Sequence, residues 1–160
     1  MTGSKPQLIS TLERDAAELV ATYPPIWHDK NKRLAASLSC PPGANHRGRL
    51  RVTRWRAGEL AERLDAAAVA LEARPDVFTY EPALAGEVHW HLNFADRRLF
   101  VAYGSGLLAQ DELQVLEHPA LGSVAEAMTG LADQTPMTAD DDPTPILVAG
   151  VGSSSAVIGV

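Results

Sequence analysis

The sequence predicts an α/β domain, and three observations carry that prediction. Strand-like segments at 49–55, 87–95 and 146–151 are separated by helix-like segments at 57–73, from about 108 to 117, and at about 121–131. A length of 160 residues fits a single domain spanning 1–160. Hydrophobic residues make up 46% and charged residues 21%, the balance of a globular chain with a real core rather than a disordered or fibrous one.

Each element has its own signal. Ser10-Thr11-Leu12-Glu13 has the form of a capping box, and Leu12, Ala16, Leu19, Val20 and Tyr23 follow at helical spacing until Pro24-Pro25. The polar stretch 28–48, with Pro41-Pro42-Gly43, reads as a long loop. Arg49 to Trp55 reads as a strand with Leu50 and Val52 on one face. Residues 57–73 form a strong helical pattern with Leu60, Leu64, Ala68 and Leu71 as its apolar stripe, closed by Pro75. In 87–95, Val88, Trp90, Leu92 and Phe94 share one face and His89, His91 and Asn93 the other. After a loop at 96–106, two helices flank His118-Pro119. Residues 132–145, rich in Asp, Thr and Pro, read as a mobile loop. Ile146 to Val151 is a buried-type strand, and the apolar run Ala156 to Val160 reads as a domain interrupted within its fold.

Charge and composition exclude several classes. No apolar run approaches the roughly 18 residues of a membrane span, and the N-terminus lacks a signal peptide's apolar stretch. A single cysteine, Cys40, makes no internal disulfide, so the expectation is a reduced, cytoplasmic protein. The net charge is −6, yet Lys30, Lys32, Arg33, Arg47, Arg49, Arg51, Arg54 and Arg56 fall in a segment without acids, and no Lys or Arg follows Arg98. That segment suits either a phosphate-bearing ligand or a surface that balances the acidic second half. The acidic total argues against dedicated nucleic-acid binding.

Chemistry concentrates between Leu92 and Leu121. Asp111 and Glu112 are adjacent carboxylates at a helix start, where the helix dipole favours their charged forms while crowding raises the pKa of one. A carboxyl group kept protonated in this way serves as a general acid. Gln-Asp-Glu is equally good first-turn chemistry for any helix. Tyr103-Gly104-Ser105-Gly106 reads as a phosphate-cradling loop, or more weakly as a nucleophile turn. Gly150 to Ser155 suits either phosphate binding or a loose end. His89 and His91, with His118 and Asp96, offer a weak metal pattern that is better read as surface or hydrogen-bonded groups, so no metal and no cofactor is expected. The three tryptophans, Trp27, Trp55 and Trp90, read as packing residues, and Cys40 is given no catalytic role.

Leu92-Asn93-Phe94-Ala95-Asp96, a Gly/Ser loop and Gln110-Asp111-Glu112-Leu113 together resemble the poly(ADP-ribose) glycohydrolase family of macrodomain-related enzymes. That family carries Val-Asp-Phe-Ala-Asn on a strand, then a glycine-rich loop, then Gln-Glu-Glu entering a helix. His118-Pro119-Ala120-Leu121 and Pro145 to Val151 continue the likeness, which covers about residues 87–151. The family's three consecutive glycines align with Phe100, Val101 and Ala102, its first motif glutamate with Asp111, and its strand-ending Asn with Asp96. The resemblance implies a macrodomain-like mixed sheet flanked by helices, shortened at its C-terminal phosphate loop. It also implies hydrolysis of ADP-ribose-linked glycosidic bonds on protein, nucleic acid or polymer, with ADP-ribose or an ADP-ribosylated macromolecule as the partner. Glu112 would be the general acid/base and Asp111 would orient the ribose. Gln110, Asn93, Asp96, Gly104, Ser105 and Gly106 would contact the substrate. A non-catalytic ADP-ribose reader, or a fragment completed by a partner segment, is the alternative.

Overall fold

The computed structural model describes residues 4–59, 67, 69–70, 72–73, 84–94, 96–131, 138–139, 142–151 and 155–159. Its main element is a mixed five-stranded sheet. Strand β1 (Gln7–Asp15) runs antiparallel to β2 (Arg49–Arg56), with Leu12 opposite Val52 and Asp15 opposite Arg49. The next strand in space is β6 (Ile146–Val151), antiparallel to β2 with Val52 opposite Val148. Beyond it lie β7 (Ser155–Gly159), antiparallel to β6, and β3 (His89–Asn93), parallel to β7 at the sheet edge. The order is therefore β1-β2-β6-β7-β3. A two-stranded ribbon, β4 (Thr138–Ala139) with β5 (Asp142–Pro143), stands apart. Among the described residues no helix is long and apolar enough to cross a membrane.

The start of the chain departs from its sequence signal. Residues 10–13 do not cap a helix; they lie in β1, whose pairing to β2 outweighs a local preference worth only tenths of a kcal/mol per residue. Helix α1 (Ala16–Thr22) begins afterwards, capped by Asp15, whose Oδ1 accepts from Ala17 N at 3.0 Å and Glu18 N at 3.2 Å. The stretch 28–48 is not one long loop, because it contains α2 (Lys30–Ser39). Asp29 caps α2 by accepting from Asn31 N at 2.9 Å and Lys32 N at 3.0 Å. Its buried residues are Lys32 and Ala36, so no apolar stripe announced it.

Helices α3 (Gln110–Glu117) and α4 (Ala120–Thr129) form where the periodicity places them. The core joins Leu50 and Val52 of β2, Ile146 and Val148 of β6, Leu19 of α1, Val115 of α3, Leu121 and Val124 of α4, and Phe100 and Tyr103 from the turn before α3. Burying each large side chain fully contributes roughly 1.5–3 kcal/mol. Gly150, at a bulge in β6, has φ of +87°, and a Cβ there would come within 2.0 Å of Arg49 O, so only glycine fits.

Strand β3 keeps its predicted alternation but turns its polar face inward. Asn93 is fully buried, whereas Trp90 and Leu92 are 49% and 46% exposed, and Val88 and Phe94 beside the strand are exposed too. Trp90 is thus not a packing residue; the inward positions of β3 meet the polar start of α3 instead. The helix predicted over 57–73 lies largely outside the described residues, although Ala57 to Glu59 are described and are not helical. Of the predicted mobile loop 132–145, residues 132–137, 140 and 141 lie outside the described residues. Of the remainder, Thr138–Ala139 and Asp142–Pro143 form the separate ribbon, while Thr144 and Pro145 are tied to the main sheet: Thr144 is buried and accepts from Arg54 Nε at 3.0 Å, and Pro145 O accepts from Trp55 N at 3.0 Å.

Candidate active site

The end of β3 and the first turn of α3 are joined by two glutamines one turn apart. Gln110 Oε1 accepts from Phe94 N at 3.1 Å while its Nε2 donates to Leu92 O at 2.8 Å, so one side-chain amide continues the backbone pairing that the sheet edge leaves open. Gln114 Oε1 accepts from Asn93 Nδ2 at 2.7 Å, and both side chains are fully buried. The i, i+4 spacing of Gln110 and Gln114 puts both on the helix face that meets β3. Gln114 was not singled out from sequence, although that spacing was the available signal.

Asp111 and Glu112 occupy the same turn and are buried to 6% and 3% exposure. Glu112 Oε2 accepts from Ala109 N at 2.8 Å, filling the helix N-terminus as a capping glutamate does, whereas Asp111 Oδ1 has no hydrogen-bond partner. Burial, reinforced by the charge and the carboxyl contact of Glu112, pushes the Asp111 carboxyl up to about 7. Lys32 pulls it the other way and Asp96 adds to the rise. Desolvation therefore outweighs the helix dipole here, and near neutral pH Asp111 is about half protonated. Asp96 is exposed, accepts from Arg98 N at 3.3 Å, and acts on the pair only through its charge.

The segment 103–107 is fastened to the start of α2. Gly104 O accepts from His28 N and Asp29 N, both at 2.9 Å, and a Cβ on Gly104 would sit 2.2 Å from Ile26 O. Gly106 has no such neighbour. The hydroxyl of Ser105 accepts from Leu107 N at 3.1 Å, and Ser105 N donates to Ala102 O at 2.9 Å. The N–H groups of Tyr103 and Ser105 are thus spent inside the turn, which limits the loop as a phosphate cradle. Just upstream, Phe100 is fully buried yet adopts φ of +58°, a left-handed conformation that glycine takes without strain. This is a position aligned with the glycine triplet of the resembled family.

Two further groups take roles that their sequence motifs do not specify. Lys32 is 4% exposed and its Nζ donates to Tyr103 O at 2.9 Å and to Leu107 O. Tyr103 accepts from Ile26 N and donates to Glu126 Oε1, each at 2.6 Å, and its ring meets Trp27 edge-on at 5.2 Å. Burial and Glu126 hold its hydroxyl well above the ordinary phenol range, so it stays protonated.

Burial lowers both His91 and His118, with His89 adding to the first and His91 to the second, so both rings are neutral at pH 7. His89 Nε2 lies 3.2 Å from Glu87 Oε2. Among the described residues no three His, Cys, Asp or Glu side chains converge as metal ligands. A cleft of about 440 Å³ lies between α1 and α2, with Trp27, Arg33, Cys40 and His46 on its walls. A cavity of about 300 Å³ is lined by Phe100, Tyr103, Glu126 and Met128. Neither reaches Asp111 or Glu112. No family model matches the chain, and neither does any curated protein or solved structure.

Proposed function

We propose that the chain hydrolyses ADP-ribose-linked glycosidic bonds through the Asp111–Glu112 carboxyl pair. The observation that supports this most is the pair itself. Two adjacent carboxyls are buried at one helix start, with Asp111 raised to about 7. A group that is half protonated near neutral pH both delivers a proton to a leaving oxygen and recovers one from water. Glu112, held at Ala109 N–H, is the acid/base that the resemblance assigns, and Asp111 stores the shared proton beside it. Breaking a bond to ribose passes through an oxocarbenium-like state, which the second carboxylate stabilises by its charge. Asn93 Oδ1, buried and unpartnered, is an acceptor for a sugar hydroxyl. Lys32 supplies a positive charge that opposes the rise of Asp111.

A second reading, an ADP-ribose binder without turnover, draws on one observation: the cleft between α1 and α2 and the cavity beside Tyr103 both lie away from the pair. The two readings are separated by release of ADP-ribose from an ADP-ribosylated protein, measured beside calorimetric ADP-ribose binding. Under the hydrolase reading, Glu112→Gln retains binding and loses turnover by a factor of about 10²–10⁴, the usual worth of a general acid/base. Binding with no turnover in the wild-type chain establishes the reader. The absence of both in folded protein overturns the ADP-ribose assignment.

A further inference from the structure

Lys32 stands out as a buried ammonium in a polar contact that the sequence did not announce. Removing such a group from water is costly unless acceptors and counter-charges replace the lost hydration. Its acceptors are the carbonyls of Tyr103 and Leu107, the two ends of the segment that holds Gly104, Ser105 and Gly106. Its counter-charges come from two elements: Asp29, which caps α2 itself, and Asp111 and Glu112 on α3. Asp96, after β3, acts on Asp111 from the other side. Leu107 lies three residues before α3 begins, so one side chain holds the loop that leads into that helix and acts by its charge on the carboxyls in its first turn.

We propose that Lys32 is the positioning residue of the carboxyl pair: its ammonium clasps the 103–107 loop across both ends, directly ahead of α3, and supplies a positive charge to Asp111 and Glu112 at the start of that helix. This rests on the hydrolase reading for its catalytic meaning, but the electrostatic coupling is a property of the fold. Losing Lys32 frees two loop carbonyls and leaves two buried carboxyls facing each other without a cation. The proton is then held more tightly, because an opposite charge nearby favours the ionised carboxyl and its loss favours the neutral one.

The test is a ¹³C-carboxyl NMR titration of Asp111 in the full chain, wild type beside Lys32→Met and Lys32→Arg. In Lys32→Met the Asp111 midpoint is expected to rise by about one pH unit, a tenfold gain in proton affinity, while Lys32→Arg stays near wild type. A midpoint in Lys32→Met that is unchanged or lower overturns the proposal. If Lys32→Met does not fold, Glu112→Gln supplies the reciprocal measurement. There the ¹⁵Nζ titration of Lys32 is expected to fall, and an unchanged value overturns the proposal. Where the chain turns over substrate, the alkaline limb of kcat moves up with the Asp111 midpoint, a shift that loss of loop packing alone does not produce. The titrations decide the role of Lys32 even if no variant, wild type included, shows turnover, so the two readings fail separately.

Discussion

The β2–β6 face and the β3 strand carry similar alternations and use them in opposite ways. In β2 and β6 the apolar positions Leu50, Val52, Ile146 and Val148 turn into the core. In β3 the apolar positions Trp90 and Leu92 face outward, and Asn93 is buried against α3. Alternation fixes which residues share a face, but what packs against the sheet fixes which face is buried. At β3 the neighbour is α3, whose Gln110 and Gln114 bond to Leu92, Asn93 and Phe94, so a polar face is the one that finds partners. A region that buries hydrogen-bonding groups in place of hydrocarbon gains specificity of position rather than stability.

Substitutions along both regions sharpen that contrast. Leu121→Ala, in the fully buried core, is expected to cost about 2–5 kcal/mol by urea unfolding. Asn93→Ala is expected to cost about 1–3 kcal/mol, because Gln114 Oε1 loses its donor inside the fold. An effect as large as that of Leu121→Ala would mean that β3 is a core strand after all. Leu92→Ser, on the outward face, is expected to fall within about 0.5 kcal/mol of wild type by the same measurement.

The subtlest effect is in pH. Asp111 is about 7 in the fold against an ordinary 3.8, so between those values the folded chain binds more protons than the unfolded one. Its contribution is therefore most favourable below about pH 3.8, is lost as pH rises towards 7, and is flat above. Asp111→Asn is expected to flatten the stability profile across that window, read by urea midpoints at successive pH values.

Much of this was legible from periodicity. Strands β2, β3 and β6 and helices α3 and α4 appear where residue spacing puts them; Gln110 meets Leu92 and Phe94, and Asn93 meets Gln114 one turn further along α3. Asp96 and the Gly104–Gly106 loop lie nearby in different roles, one acting only through its charge and the other anchored on α2. What stayed hidden was held by tertiary partners. β1 looks helical until β2 pairs with it, and α2 has a lysine and an alanine where a stripe of large apolar residues would have marked it. Lys32 itself looked like one basic residue among eight, since nothing local marks a lysine whose acceptors lie 71 and 75 positions away.

The edge position of β3 also sets an order of assembly. Its only strand partner among the described residues is β7, and the parallel pairing of His89 with Ser155 encloses α3, α4 and β6 within one long loop. Closing so large a loop is entropically late, and during synthesis β7 emerges after every element that carries the carboxyl pair. Helix α3 therefore leaves the ribosome before the strand that pairs with both β3 and β6. The edge strand β3 and the central strand β6 thus gain their shared partner last, and the two halves of the sheet become one only when β7 docks.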